Sequence, residues 1–149
     1  MRRRGFITGL GSIAAAWSFA GHGQQTERVR RVGVLLGFPE NDPFTQRIVS
    51  AFAQALRRLG WVEGKNIVID YRFAAGDPTL LKPYAAELVG LAPDAILASP
   101  GPAVAALREL THTIPIVGVL LGDPVGLGYV QSFARPGGNI TGFTATSRR

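Results

Sequence analysis

Ser99-Pro100-Gly101-Pro102 puts a hydroxyl, a glycine and a helix-opening proline within four residues. At a helix start the free backbone N–H groups and the positive end of the helix dipole favour a carboxylate or phosphate. A substrate carboxylate is the expected occupant, the alternative being that Ser99 only caps its helix. Gly122-Asp123-Pro124 offers a carboxylate suited to an ammonium group, although Asp before Pro is also a common turn opener. Phe38 follows a glycine and could cover either an apolar ligand or the core. Asn41, three residues on, could bond a ligand or only shape its turn.

Catalytic chemistry is poorly supported. Past residue 23 the sole histidine is His112, beside Thr111 and Thr113, and nothing pairs it with Ser99 or an aspartate in a nucleophile-elbow arrangement. One histidine and scattered carboxylates give no metal-ligand spacing. The absence of cysteine rules out thiolate zinc sites and thiol nucleophiles. No GxGxxG follows the first apolar run and there is no GxxxxGK[ST], so no nucleotide cofactor is expected. The reading is a binding protein without cofactor or metal. An exported α/β enzyme using Asp123 and Ser99, or a sensory module, is the alternative.

These residues all fall at turns between regular elements. Val29 to Leu36 is a β-branched run that reads as a buried strand. Asp42 is placed to cap a helix opened by Pro43 and stopped by Gly60, with Ile48, Phe52, Ala55, Leu56 and Leu59 at helical spacing. The cycle repeats with a strand at Asn66 to Arg72, a helix from Asp77-Pro78, a strand at Ala95 to Ala98 and a helix from Pro102 to Leu110. A strand at Ile114 to Leu121, a short glycine-weakened helix at Gly126 to Ala134 and a strand at Asn139 to Phe143 complete it. Five strands alternating with four helices predict an α/β fold, a doubly wound parallel five-stranded sheet. In such a sheet ligands sit beyond the carboxyl ends of the strands. Phe38, Asn41, Ser99, Gly101 and Asp123 all lie there.

The first residues have a different character. Arg2, Arg3 and Arg4 precede an apolar stretch, Ile7 to Ala20, of fourteen residues, too short for a bilayer core of about 30 Å. Small residues follow, as in an exported leader, with cleavage expected between Gly23 and Gln24. Arg3-Arg4-Gly5-Phe6-Ile7 further matches the twin-arginine pattern. Residues 1–23 are therefore expected to be a twin-arginine-type signal peptide, and the mature protein to be soluble and periplasmic. Their removal takes three arginines from a formal charge of +6 and leaves +3 on 126 residues. No stripe of Lys and Arg with interleaved aromatics remains, so no nucleic-acid partner is expected.

Several segments resemble one known family. They are Arg31-Val-Gly-Val-Leu35, Leu59-Gly-Trp-Val-Glu-Gly-Lys-Asn-Ile67, Ala85-Ala-Glu-Leu-Val89, Ile114-Pro-Ile-Val117, Gly122-Asp-Pro-Val-Gly126 and Ala134-Arg-Pro-Gly-Gly-Asn-Ile-Thr-Gly-Phe143. Together they are similar to the ABC transporter substrate-binding proteins of the tryptophan/tyrosine-permease type. The resemblance implies a type I periplasmic binding protein, whose two lobes hold a small solute and deliver it to an ABC permease in the inner membrane. It also implies that residues 24–149 are the N-terminal lobe alone, a second lobe of similar size not being included. By position, the cleft residues would be Phe38, Asn41, Ser99, Gly101 and Asp123, and the solute implied is a small one such as an amino acid.

Overall fold

The structure, a computed structural model, describes residues 28–144; the leader read at residues 1–23 lies outside them. Parallel strands β1 (Arg30–Leu36), β2 (Ile67–Phe73), β3 (Ala95–Ser99), β4 (Ile116–Leu121) and β5 (Ile140–Thr144) form one sheet, in the order β2-β1-β3-β4-β5. Helices α1 (Pro43–Arg58), α2 (Leu81–Gly90) and α3 (Gly101–Arg108) make the crossovers, with a 3-10 turn at Pro78–Leu80 before α2. The expected doubly wound parallel sheet is observed.

The alternation of side chains along β1 divides the core. Val34 and Leu36 point to one face and pack with Ile67, Ile69 and the Val49, Phe52 and Leu56 side chains of α1. Leu35 points to the other face and joins Ala85 and Leu88 of α2, Val104 and Leu107 of α3, and Ile96 and Ile116. A strand that must be apolar on both sides is what a sheet covered by helices requires. The β-branched run from Val29 supplies it.

Local signals fix the helix starts. The Asp42 carboxylate accepts from the Phe44 and Thr45 N–H groups at 2.9 and 3.1 Å, and Pro43 opens α1. Asp77 accepts from the Thr79 N–H and hydroxyl at 2.9 and 2.7 Å, capping the 3-10 turn. These two bonds hold the Asp77 carboxyl below its ordinary range.

The helix expected at Gly126 to Ala134 does not form. Backbone bonds there close successive turns, with Leu127 N–H to Asp123 C=O at 2.9 Å and Gly128 N–H to Val125 C=O at 3.0 Å. Gly128 takes φ +70, outside the right-handed helical region. The chain then reverses through a turn in which the Gln131 N–H meets the Pro136 carbonyl at 2.9 Å. The turn preference of Gly126 and Gly128 outweighed the short helix expected there.

Asn139 explains much of the Ala134-to-Phe143 segment. Its amide donates to the Ile114 carbonyl at 2.8 Å and the Thr111 carbonyl at 3.3 Å, tying the start of β5 to the turn before β4. Gly137, at φ +79, packs so closely on Gln131 that a side chain there would collide with it. At the same end of the sheet the Asp94 carboxylate accepts from the Arg31 N–H at 2.9 Å and the Arg30 guanidinium at 3.0 Å, joining β3 to β1. Arg28 lies 3.4 Å away.

Two predictions follow from these clamps. Asn139→Ala leaves two carbonyls without their donor and should cost about 2 kcal/mol, read as a lower urea midpoint at unchanged slope. Asp94 is held below its ordinary value of 3.8, first by the Arg31 N–H, then by the Arg30 guanidinium. A lowered folded-state value stabilises the fold above the unfolded-state value, and that contribution disappears as pH falls through the folded one. The urea midpoint of Asp94→Asn should therefore lie below the parent's at neutral pH. The two should converge as the pH drops below about 4.

Candidate functional site

In the order β2-β1-β3-β4-β5, connections leave β1 and β3 in opposite directions, so their carboxyl ends border a crevice. Backbone bonds lace this rim together. Gly37 donates to the Ser99 carbonyl at 2.8 Å and accepts from the Gly76 N–H at 2.7 Å; Ala74 donates to Leu36 at 2.8 Å. The exits of β2, β1 and β3 thus form one continuous edge. Gly37 has a steric reason to be glycine, because a Cβ there would stand 2.9 Å from Cδ of Pro100.

Phe38 leaves this edge half-buried, its ring edge-on to Phe44 at 5.7 Å, on the first turn of α1. Arg47 lies over the outer face of Phe44 at 6.0 Å. Asn41 is exposed in the turn closed by the Asp42 N–H and the Pro39 carbonyl at 3.2 Å, and its side chain makes no hydrogen bond among the described residues.

Ser99 does not cap α3. Pro100 occupies the cap position with no side-chain bond, and Ser99 is fully buried, its hydroxyl without a partner. Leu97, two residues earlier, packs in the cluster with α1, so strand alternation turns Ser99 towards α1 as well. Thr45, on the first turn of α1, is likewise fully buried with an unpartnered hydroxyl. Its position in an amphipathic helix gave no reason to single it out.

At the head of α3 there is no acidic residue in the first turn, and Pro102 contributes no N–H. Gly101 is half-buried, and its carbonyl accepts from the Tyr129 hydroxyl at 3.3 Å. Tyr129 therefore fastens the 124–130 segment to the start of α3. A tyrosine following two glycines was the available signal for it.

Asp123 follows a strained strand end. Leu120 takes φ +56 where the β4–β5 register shifts, and Gly122 and Asp123 are exposed beyond it. Leu is rarely found in this left-handed region, and such strain gathers at functional edges. One carboxylate oxygen of Asp123 accepts from the Gly126 N–H at 2.9 Å. The residue therefore shapes its turn while the group remains open to solvent.

The structure thus brings Phe38, Ser99 and Gly101 to adjacent exits, links Asp123 to Gly101 through the segment ending in Tyr129, and leaves Asn41 exposed in the turn before α1. Hollows of 420 and 510 Å³ lie elsewhere, against residues 108–140 and 113–141, and none of these five lines them. The rim is an open edge that supplies one wall. Among the described residues no three His, Cys, Asp or Glu side chains are grouped to hold a metal, and no helix is long and apolar enough to cross a membrane.

The protein-family profile described as ABC transporter substrate binding protein matches residues 35–148. A tyrosine-binding protein of Clostridioides difficile strain R20291 is 34% identical over 100 residues, which make up 67% of this chain and 29% of that protein. A conserved domain protein from Vibrio cholerae O1 biovar El Tor superposes with a TM-score of 0.75 at 32% identity, over 80% of this chain and 40% of that one. An ABC domain from Streptococcus pneumoniae in complex with L-Trp gives a TM-score of 0.71 at 25% identity, over 77% and 38%. The chain thus spans about two-fifths or less of the length of these proteins.

The rim itself can be tested. Gly37→Ala forces the β1 and β3 exits apart at Pro100 and should destabilise the fold by about 1–3 kcal/mol. Urea denaturation checks it; an unchanged midpoint would show that the close approach carries no constraint.

Proposed function

Because this chain belongs to the ABC transporter substrate-binding protein family, we propose that its rim is one wall of a solute cleft in the periplasmic component of an ABC importer. In this reading residues 1–23 are the export signal and residues 24–149 the N-terminal lobe. A second lobe closes on the solute, and an inner-membrane permease receives it. Burying most of a small ligand takes walls on both sides.

The observation that carries the reading is the uncapped head of α3 at the β1–β3 crevice. Two relatives are named for tyrosine and for L-Trp, which supports an aromatic amino acid as solute. Its carboxylate would meet the Gly101 N–H at the positive end of α3, with Ser99 shaping the turn from beneath. The exposed Asp123 carboxylate suits the ammonium group, Phe38 an apolar side chain, and Asn41 a polar contact at the margin. Such a protein binds and releases its solute without turnover.

Calorimetry with L-tyrosine and L-tryptophan on the exported protein, purified from the periplasm, tests this. We expect saturable binding that Asp123→Asn weakens by about tenfold or more, the loss of one charge-assisted hydrogen bond. Absence of heat with both amino acids would sink the solute assignment. Chemical conversion of either would sink the transport reading.

A further inference from the structure

The missing fourth crossover helix has a consequence on the flank of α3. Where such a helix would cover β4 and β5, the 125–140 segment crosses as loops and leaves a hollow of 420 Å³. That volume lies within the range of small-molecule sites. The guanidinium of Arg108, in the last turn of α3, stands 5.9 Å over the Tyr129 ring and enters no ion pair among the described residues. The neighbouring carboxylate, Glu109, is taken by Lys82 at 2.6 Å. No Asp or Glu lines the hollow.

Its walls are of two kinds. Val125, Val130 and Ile140 give apolar surface, while Arg108, Gln131 and the Gly137-Gly138 backbone give polar groups. An arginine held against an aromatic face presents a fixed, planar fork that matches a carboxylate bidentately. An apolar wall beside it suits a flat hydrocarbon body.

We propose that this hollow is a second binding site, separate from the β1–β3 rim, for a small aromatic carboxylate. The carboxylate pairs with Arg108 and the ring lies against Val125 and Val130. The site uses no ammonium partner, so it selects aromatic acids over the corresponding amides and needs no free amino group.

Amide NMR titration of the full chain with benzoate, and separately with benzamide, tests it. Saturable shifts are expected at Gly128, Gly137 and Gly138 with benzoate. Benzamide should bind at least about tenfold more weakly, as expected for loss of one charge-assisted bond. Arg108→Gln, at an exposed position, should keep the parent's melting temperature and lose the benzoate response. Shifts that never saturate, that are equal with benzamide, that survive in Arg108→Gln, or that fall at Gly37 and Gly101 instead would each overturn the proposal.

Discussion

The pairing of β1 with β3 is the interaction on which the rest of this structure depends. β1 is hydrogen-bonded on both edges, to β2 over seven residue pairs and to β3 over five, and buries side chains on both faces. Its last bond, from the Gly37 N–H to the Ser99 carbonyl, closes the seam where the winding of the sheet reverses. α1 leaves the seam on one face and α3 on the other. The two helix starts therefore border the same crevice only while that bond and the contact of Gly37 with Pro100 hold. A larger residue at position 37 would disturb the strand pair and the crevice together.

Most of the architecture could be read from the chain because each element carries its own signal. The apolar runs at β1 and β3 are too short for helices, Asp42-Pro43 and Asp77-Pro78 announce starts, and Gly60, at φ +88, follows the end of α1. The Gly126-to-Ala134 stretch misled because the strand–helix alternation called for a helix there, while its glycines favour turns. Asp123 takes the Gly126 N–H as Asp42 takes that of Thr45, yet Gly128, at φ +70, ends the turn before a helix can grow. Asn139 shows the same limit in reverse. It has the composition of an ordinary turn residue, yet it joins two carbonyls some 25 residues away in sequence.

The candidate site was legible to the level of its turns and no further. Strand exits follow from topology, so Phe38, Ser99, Gly101 and Asp123 could be placed at the edge from sequence. Which way a side chain faces at an exit depends on what packs behind it. Ser99 continues the alternation of Leu97 and is turned into the α1 side, which no property of Ser99-Pro100-Gly101-Pro102 reveals. Tyr129 reaches Gly101 across 28 positions, and only the folded path of the 124–130 segment brings them together.

The two helix starts at the crevice differ in a way that bears on its chemistry. At α1 the Asp42 carboxylate accepts from two N–H groups, so the positive end of that helix already faces a negative charge. An anionic group approaching there would meet repulsion and no free donors. At α3 the cap position is a proline without a side-chain bond, the preceding Ser99 is buried, and no acidic side chain lies in the first turn. Leaving a helix start uncapped costs on the order of 1 kcal/mol. The start of α3 thus keeps its backbone donors for an incoming anion. On the proposed reading, the contrast between the two starts would orient a solute as well as attract it, with its carboxylate over α3 and a neutral or cationic group towards α1.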